Sequence, residues 1–187
     1  MSKLIVSEFM TLDGVMEAPG GEPTHPHTNW VMDYMSPEQH RYKLDEVLEA
    51  GSHLLGRVTY ESFAGAWPAR EGPFAEKVNS MPKYVVSSTL AEPLQWSNST
   101  LVKGDLAVEV RKLKEQKTAP ILVAGSATLV HALIEHDLVD ELRLEVFPVM
   151  IGGGLRPFPE SRQKKPFKLT GMHRFDSGVA VHTYERA

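Results

Sequence analysis

The sequence contains no cysteine, which excludes disulfide bonds, thiolate metal sites and thiol nucleophiles together. It also lacks any uninterrupted apolar run of about 18 residues, so nothing in it reads as a membrane-spanning helix. Positive charge is not in excess: 20 Lys and Arg stand against 24 Asp and Glu, a formal charge of −4. Without a dense basic stripe to displace the counterions of a phosphate backbone, nucleic acid is not an expected partner. An anionic membrane surface is disfavoured for the same reason. Near the start, Lys3 precedes only Leu4, Ile5 and Val6 before Ser7 and Glu8 interrupt, too short for the apolar region of a secretion signal. The expectation is a soluble, cytoplasmic protein. Its 187 residues, 42% of them hydrophobic, suffice for one core, so a single domain over residues 1–187 is expected.

What is present is an alternation of short apolar runs with helical periodicities. Lys3 to Phe9 reads as a strand buried on both faces. From Thr11 to Asn29 the chain carries Asp13-Gly14, Pro19-Gly20-Gly21, Pro23 and Pro26, a density of turn formers that predicts a long loop, the candidate wall of a site. Ser36-Pro37-Glu38-Gln39 opens a helix, with Ser36 as cap, Pro37 in the first turn and Gln39 completing a capping box. That helix is expected to reach about Ala50. Strands follow at His53 to Leu55, Lys83 to Ser87, Leu101 to Lys103 and Ile121 to Ala124. Helices are expected from Arg57 to Phe63, Pro73 to Ser80, Asp105 to Gln116 and Ala127 to Glu135. Asp140 to Phe147 alternates as a strand with Leu142, Leu144 and Val146 to one side. Phe167 to Phe175 and Val179 to Tyr184 form an antiparallel pair turned at Asp176-Ser177-Gly178. The fold class is therefore α/β: a mainly parallel sheet flanked by helices, closed by a C-terminal antiparallel hairpin.

Three strands run directly into polar or glycine turns: Leu54-Leu55-Gly56-Arg57, Val85-Val86-Ser87-Ser88-Thr89 and Val123-Ala124-Gly125-Ser126-Ala127-Thr128. Ligands of open α/β sheets bind at such strand ends. The first and third turns open helices, whose unpaired N–H groups and dipoles make two anion sockets facing one crevice. Arg57 adds a permanent cation suited to phosphate, and Ser87, Ser88 and Thr89 offer short hydroxyl donors. A ligand with a pyrophosphate and a separate phosphate fits this inventory. No strict G-x-G-x-x-G follows the first strand.

The stretches Gly56-Arg57-Val58-Thr59-Tyr60-Glu61, Tyr84-Val85-Val86-Ser87-Ser88-Thr89 and Val123-Ala124-Gly125-Ser126-Ala127-Thr128-Leu129, in that order, resemble the dihydrofolate reductase superfamily. More closely, they resemble its bacterial branch related to the reductase domain of the bifunctional riboflavin-biosynthesis deaminase–reductase. Thr11-Leu12-Asp13-Gly14, His136 to Glu141 and Pro148 to Gly154 also match that branch. The resemblance implies a dihydrofolate reductase-like fold, NADPH as cofactor and reduction of a small heterocyclic substrate. By the same resemblance Arg57 lies toward the NADPH 2′-phosphate, and Gly56 and Thr59 near the pyrophosphate. Ser87, Ser88 and Thr89 fall beside the adenosine ribose, and Gly125, Ser126, Ala127, Thr128 and Leu129 form the second pyrophosphate turn.

The substrate half departs from the riboflavin-type pattern. Ala124 stands where those reductases carry a substrate-contacting glutamate, and Glu61 to Ala69 lacks their Asp-x-Pro-x-Leu-x-x-Arg-like segment. Asp13, Gly14, Trp30 and Asp33 are the candidate substrate residues. Asp33 is the nearest candidate for a folate-type carboxylate, or else a solvated acid. Asp13 is a proton donor or a turn former before Gly14. Met10, Met16, Met32 and Met35 with Trp30 line a pocket or fill the core. His25 and His27 read as loop residues, and no metal is expected. The leading function is an NADPH-dependent reductase; a pterin reductase and a non-catalytic dinucleotide-binding module are the alternatives. A homodimer is expected, because related proteins often pair and because the C-terminal strands carry Phe167, Leu169, Val179 and Val181 on a face or edge that needs covering.

Overall fold

A computed structural model of the chain describes residues 1–116, 118–160 and 163–187. The strands are β1 (Leu4–Thr11), β2 (Ser52–Gly56), β3 (Lys83–Val86), β4 (Ser99–Val102), β5 (Ile121–Val123), β6 (Glu141–Phe147), β7 (Phe167–Arg174) and β8 (Ala180–Arg186). The helices are α1 (Pro37–Glu49), α2 (Arg57–Ala66), α3 (Pro73–Ser80), α4 (Leu106–Gln116) and α5 (Ala127–Glu135). The strands form one sheet in the order β4-β3-β2-β5-β1-β6-β8-β7. The first six are mutually parallel, and β8 and β7 continue the sheet antiparallel. The α/β class, the parallel sheet and the terminal antiparallel pair all stand as expected. None of the described helices is long and apolar enough to cross a membrane.

The central strands are apolar because both of their faces are covered. Leu4, Val6, Leu54, Ile121 and Val123 pack with Val110, Leu113, Leu129, Val130 and Leu133 of α4 and α5. Ile5, Leu55, Val85 and Leu122 point the other way, against Val47, Tyr60, Val78 and Trp96 on the side of α1 to α3. A third cluster of Trp30, Val31, Phe147, Phe175, Val179 and Val181 anchors the first long loop to the terminal strands. Val179 and Val181 are thus buried within the chain, contrary to the expectation that they leave an apolar face open. On the outermost strand β7, Leu169 and Met172 remain 50% and 70% exposed.

One local reading is also corrected. Ser36 caps α1 by accepting from the Gln39 N–H at 3.2 Å, but the capping box is only half made. The Gln39 side chain turns inward and donates to Glu145. The reason is tertiary: Glu141, Arg143 and Glu145 of β6 do not face water but α1, where Arg143 pairs with Glu46 and Glu49. Lys43 joins them through Glu46, which also accepts from Ser7 at 2.9 Å.

Candidate functional site

The chemistry gathers at the carboxyl ends of β2, β5 and β1. Gly56 ends β2 and caps α2, Ser126 caps α5, and neither helix start has a side-chain cap. The first turn of each helix therefore leaves backbone N–H groups without a helical acceptor. In α5 these belong to Ala127, Thr128 and Leu129, the helix's first bond being Val130 N–H to Ser126 O at 3.0 Å. Ala127 and Leu129 send their side chains into the core, so what they offer a ligand is backbone.

Because β2 and β5 are neighbours, the two turns touch. The Gly56 N–H donates to Gly125 O at 3.1 Å. A Cβ on Gly56 would overlap Ser126 Oγ and lie 2.9 Å from its N. Gly125 has φ +90°, and a Cβ there would stand 2.7 Å from Thr59 Oγ1 and 3.9 Å from Met16 Cε. Each turn thus needs glycine on account of the other, a requirement that no local pattern states. Two uncapped helix N-termini set against each other, each with its dipole behind it, favour a ligand carrying negative charge.

The remaining candidate residues are placed as follows. Arg57 and Thr59 lie in the first turn of α2, and Arg57 is ion-paired with Glu61 at 2.8 Å, both about half exposed. Ser87 follows β3; its Oγ accepts from the Thr89 and Leu90 N–H groups at 3.1 and 3.0 Å, while Ser88 and Thr89 are exposed. The long loop reaches α2 through Ser62 and Glu22. It is stitched to the chain after β6 by Asp13, which accepts from Thr11 Oγ1 at 2.6 Å and from the Gly152 and Ile151 N–H groups at 2.8 and 3.3 Å. Those bonds hold the Asp13 carboxyl below the usual carboxylate range, the Thr11 hydroxyl contributing most. Glu17 accepts from the Leu155 N–H at 3.0 Å, and His25 bonds Gly153 O at 2.6 Å.

Of the candidate substrate residues, Asp13 is therefore a tie between two loops, and Gly14 sits at φ +84° under Arg156. Trp30 is core: its indole N–H donates to Glu17 O at 2.9 Å and its ring packs edge-on against Phe147. Asp33 is exposed, which fits the solvated reading. Met16 reaches the Gly125 turn, whereas Met32 is exposed.

One group at the crevice went unnoticed in the sequence. Glu8 of β1 is buried with Oε1 unpartnered among the described residues, and its carboxyl is faced by the Gly125 N–H. Burial pushes it up to about 8. The only signal was an acid within a strand otherwise reading as buried on both faces.

The family model described as RibD C-terminal domain matches residues 2–181. The uncharacterised protein YyaP of Bacillus subtilis is 30% identical, over 97% of this chain and 94% of its own. A Shewanella protein named for riboflavin biosynthesis superposes with a TM-score of 0.79 at 22% identity, covering 100% of this chain and 99% of its own. Dihydrofolate reductase of Enterococcus faecalis, solved with NADP(H), superposes with a TM-score of 0.65 at 16% identity, covering 98% and 96%. These two structures share the fold. A parallel sheet with two interlocked glycine turns, matched by that model over nearly its whole length, places this chain in the RibD C-terminal domain family.

Proposed function

We propose that the chain is an NADPH-dependent reductase of a small heterocyclic substrate, related to the reductase of riboflavin biosynthesis. The observation that carries this is the pair of uncapped helix starts at Gly56 and Ser126 set against each other at neighbouring strand ends, with Arg57 in the first turn of α2. The family match and the likeness to a reductase solved with NADP(H) support the same reading. The residues present fit the cofactor. The N–H groups of the α2 and α5 first turns, with Gly56, Thr59, Gly125, Ser126, Ala127, Thr128 and Leu129, would take the pyrophosphate. Arg57 would take the 2′-phosphate, and Ser87, Ser88 and Thr89 would lie beside the ribose. Bound there, the cofactor supplies hydride, and the chain's part is to orient it against an electrophilic C=N or C=O and exclude water. Such chemistry needs no protein nucleophile.

Stopped-flow oxidation of NADPH across pterins, pyrimidines and quinones tests the reading, and turnover on one of them is expected. Tight NADPH binding with no turnover on any would instead favour a non-catalytic dinucleotide-binding module.

Arg57 provides the cofactor-choice prediction. Its pairing with Glu61 is solvent-exposed and so weak, leaving the guanidinium free to turn to a phosphate. Arg57→Ala is expected to weaken NADPH by roughly 1.5–3 kcal/mol, the range for charge-assisted hydrogen bonds, while barely changing NADH. Equal losses for both cofactors by calorimetry would show that Arg57 does not read the 2′-phosphate.

The reading includes a homodimer. With Val179 and Val181 buried, what the structure leaves in support is the outermost strand β7, on which Leu169 and Met172 are exposed. Unprotected edges of that kind are association surfaces. Light scattering at micromolar concentration is expected to give twice the 20.8 kDa of the chain. A mass of 20.8 kDa persisting on concentration would overturn it.

A further inference from the structure

The last pairing of β1 with β5 is Val6 with Val123. Glu8 lies two residues beyond it, where β5 has given way to the Gly125 turn. On its other side β1 is still paired, Glu8 with Leu144 of β6. By strand alternation Glu8 shares the face of Leu4 and Val6, the face covered by α4 and α5. Glu8 is 7% exposed, its Oε1 has no hydrogen-bond partner among the described residues, and the Gly125 N–H faces the carboxyl group. A buried polar atom without a partner in a native fold calls for an explanation, and this one lies behind the turn that opens α5.

The charged groups acting on Glu8 are Lys43 and Glu46 of α1. Lys43 is already bound to Glu46, so among the described residues Glu8 has no counterion of its own. Ionised, it would set an uncompensated charge behind the N–H groups that receive the ligand's anion, in a setting where water screens little. Protonated, it keeps the turn in shape and presents no charge. Burial holding the group up to about 8 makes the protonated form the resting state at neutral pH.

We infer that Glu8 is a positioning residue that supports the Gly125 turn as a neutral carboxylic acid, and that docking of a diphosphate ligand on that turn takes up a proton at Glu8. This rests on the reading of the crevice as an NADPH site. The balance is simple: carboxylate, one proton from solvent and ligand give the carboxylic acid complex, with no redox change. Below the pKa of Glu8 the proton is already in place. Above it, each binding event must recruit one, so affinity falls with rising pH by up to about tenfold per unit.

Titration calorimetry of the whole chain with NADPH at pH 7 and pH 9 tests this, since the cofactor's 2′-phosphate, with a second pKa near 6 as in phosphate monoesters, changes little between them. The wild type is expected to bind about fivefold to tenfold more weakly at pH 9 and, in buffers of different ionisation enthalpy at pH 8, to take up about half a proton. Glu8→Gln, which keeps the shape without the titration, is expected to lose both effects. Should that variant not fold, Glu8→Asp is expected to move the midpoint of proton uptake to lower pH. Wild-type binding equal at both pH values, a pH slope retained in Glu8→Gln or an unmoved midpoint in Glu8→Asp overturns the role of Glu8 and leaves the NADPH site standing. Absence of NADPH binding at either pH overturns the site and this inference together.

Discussion

Gly125→Val is expected to abolish measurable NADPH binding in a chain that still folds. Gly125 sits at φ +90° in close contact with the α2 turn, its missing Cβ only 2.7 Å from where Thr59 Oγ1 lies. A β-branched side chain resists that backbone conformation and fills the space between the two helix starts, pushing Thr59 or the turn itself out of line. The strain amounts to about 1–3 kcal/mol, within the roughly 5–15 kcal/mol that holds a typical domain together, so the fold survives. The ligand loses several backbone donors at once, and an affinity drop of more than about 100-fold, roughly 3 kcal/mol, is expected by calorimetry. Circular dichroism melts run beside it report whether the variant is folded. Undiminished affinity in a folded variant would remove this turn from the site.

Lys83→Met is expected to give the largest loss of stability. Lys83 begins β3 yet is fully buried. Its Nζ donates to the carbonyls of Val78, Asn79 and Met81 at 2.9, 3.0 and 2.8 Å, closing the end of α3, and lies 4.3 Å from the centre of the Trp96 ring. Methionine fills nearly the same volume but donates nothing. Asn98 still reaches Asn79 O and Ser80 O, while the carbonyls of Val78 and Met81 lose the ammonium as donor. A loss of about 2–4 kcal/mol in chemical denaturation follows from burying acceptors without donors; a loss below about 0.5 kcal/mol, the level of an ordinary surface change, would show that the ammonium is not the cap. The pH dependence gives a second reading of the same group. Burial lowers Lys83 to about 8, below its unfolded value near 10.4. Between those values the unfolded chain holds more protons, so this group makes stability rise with pH across that window, and the variant lacks that rise.

Much of the architecture was legible because it rests on neighbours in sequence. Ser36-Pro37 starts α1, Ala127 to Glu135 is the helix its apolar spacing predicts, and Asp176-Ser177-Gly178 turns the last two strands, Gly178 at φ +89°. Such features follow from which dihedrals a residue tolerates and which backbone groups it can satisfy, and neither depends on the rest of the chain. Glycine at positions 56 and 125 was visible on the same terms, but only as two separate turns.

Their meeting was decided by strand order. That β5 lies beside both β2 and β1 brings Gly56, Gly125 and Glu8 together, and no spacing along the chain encodes that adjacency. The same holds where local chemistry pointed elsewhere. Gln39 left its capping box for Glu145, Asp13 spent its carboxylate on Gly152, 139 residues away, and Lys83, an ordinary strand-end cation in the sequence, became the cap of α3. By itself the sequence determined the elements, their turns and the kind of groups at the strand ends. Only the tertiary structure decided which of those groups are buried and which face each other, because a polar group's partner is set by what the packed sheet brings within about 3 Å and not by what precedes it in the chain.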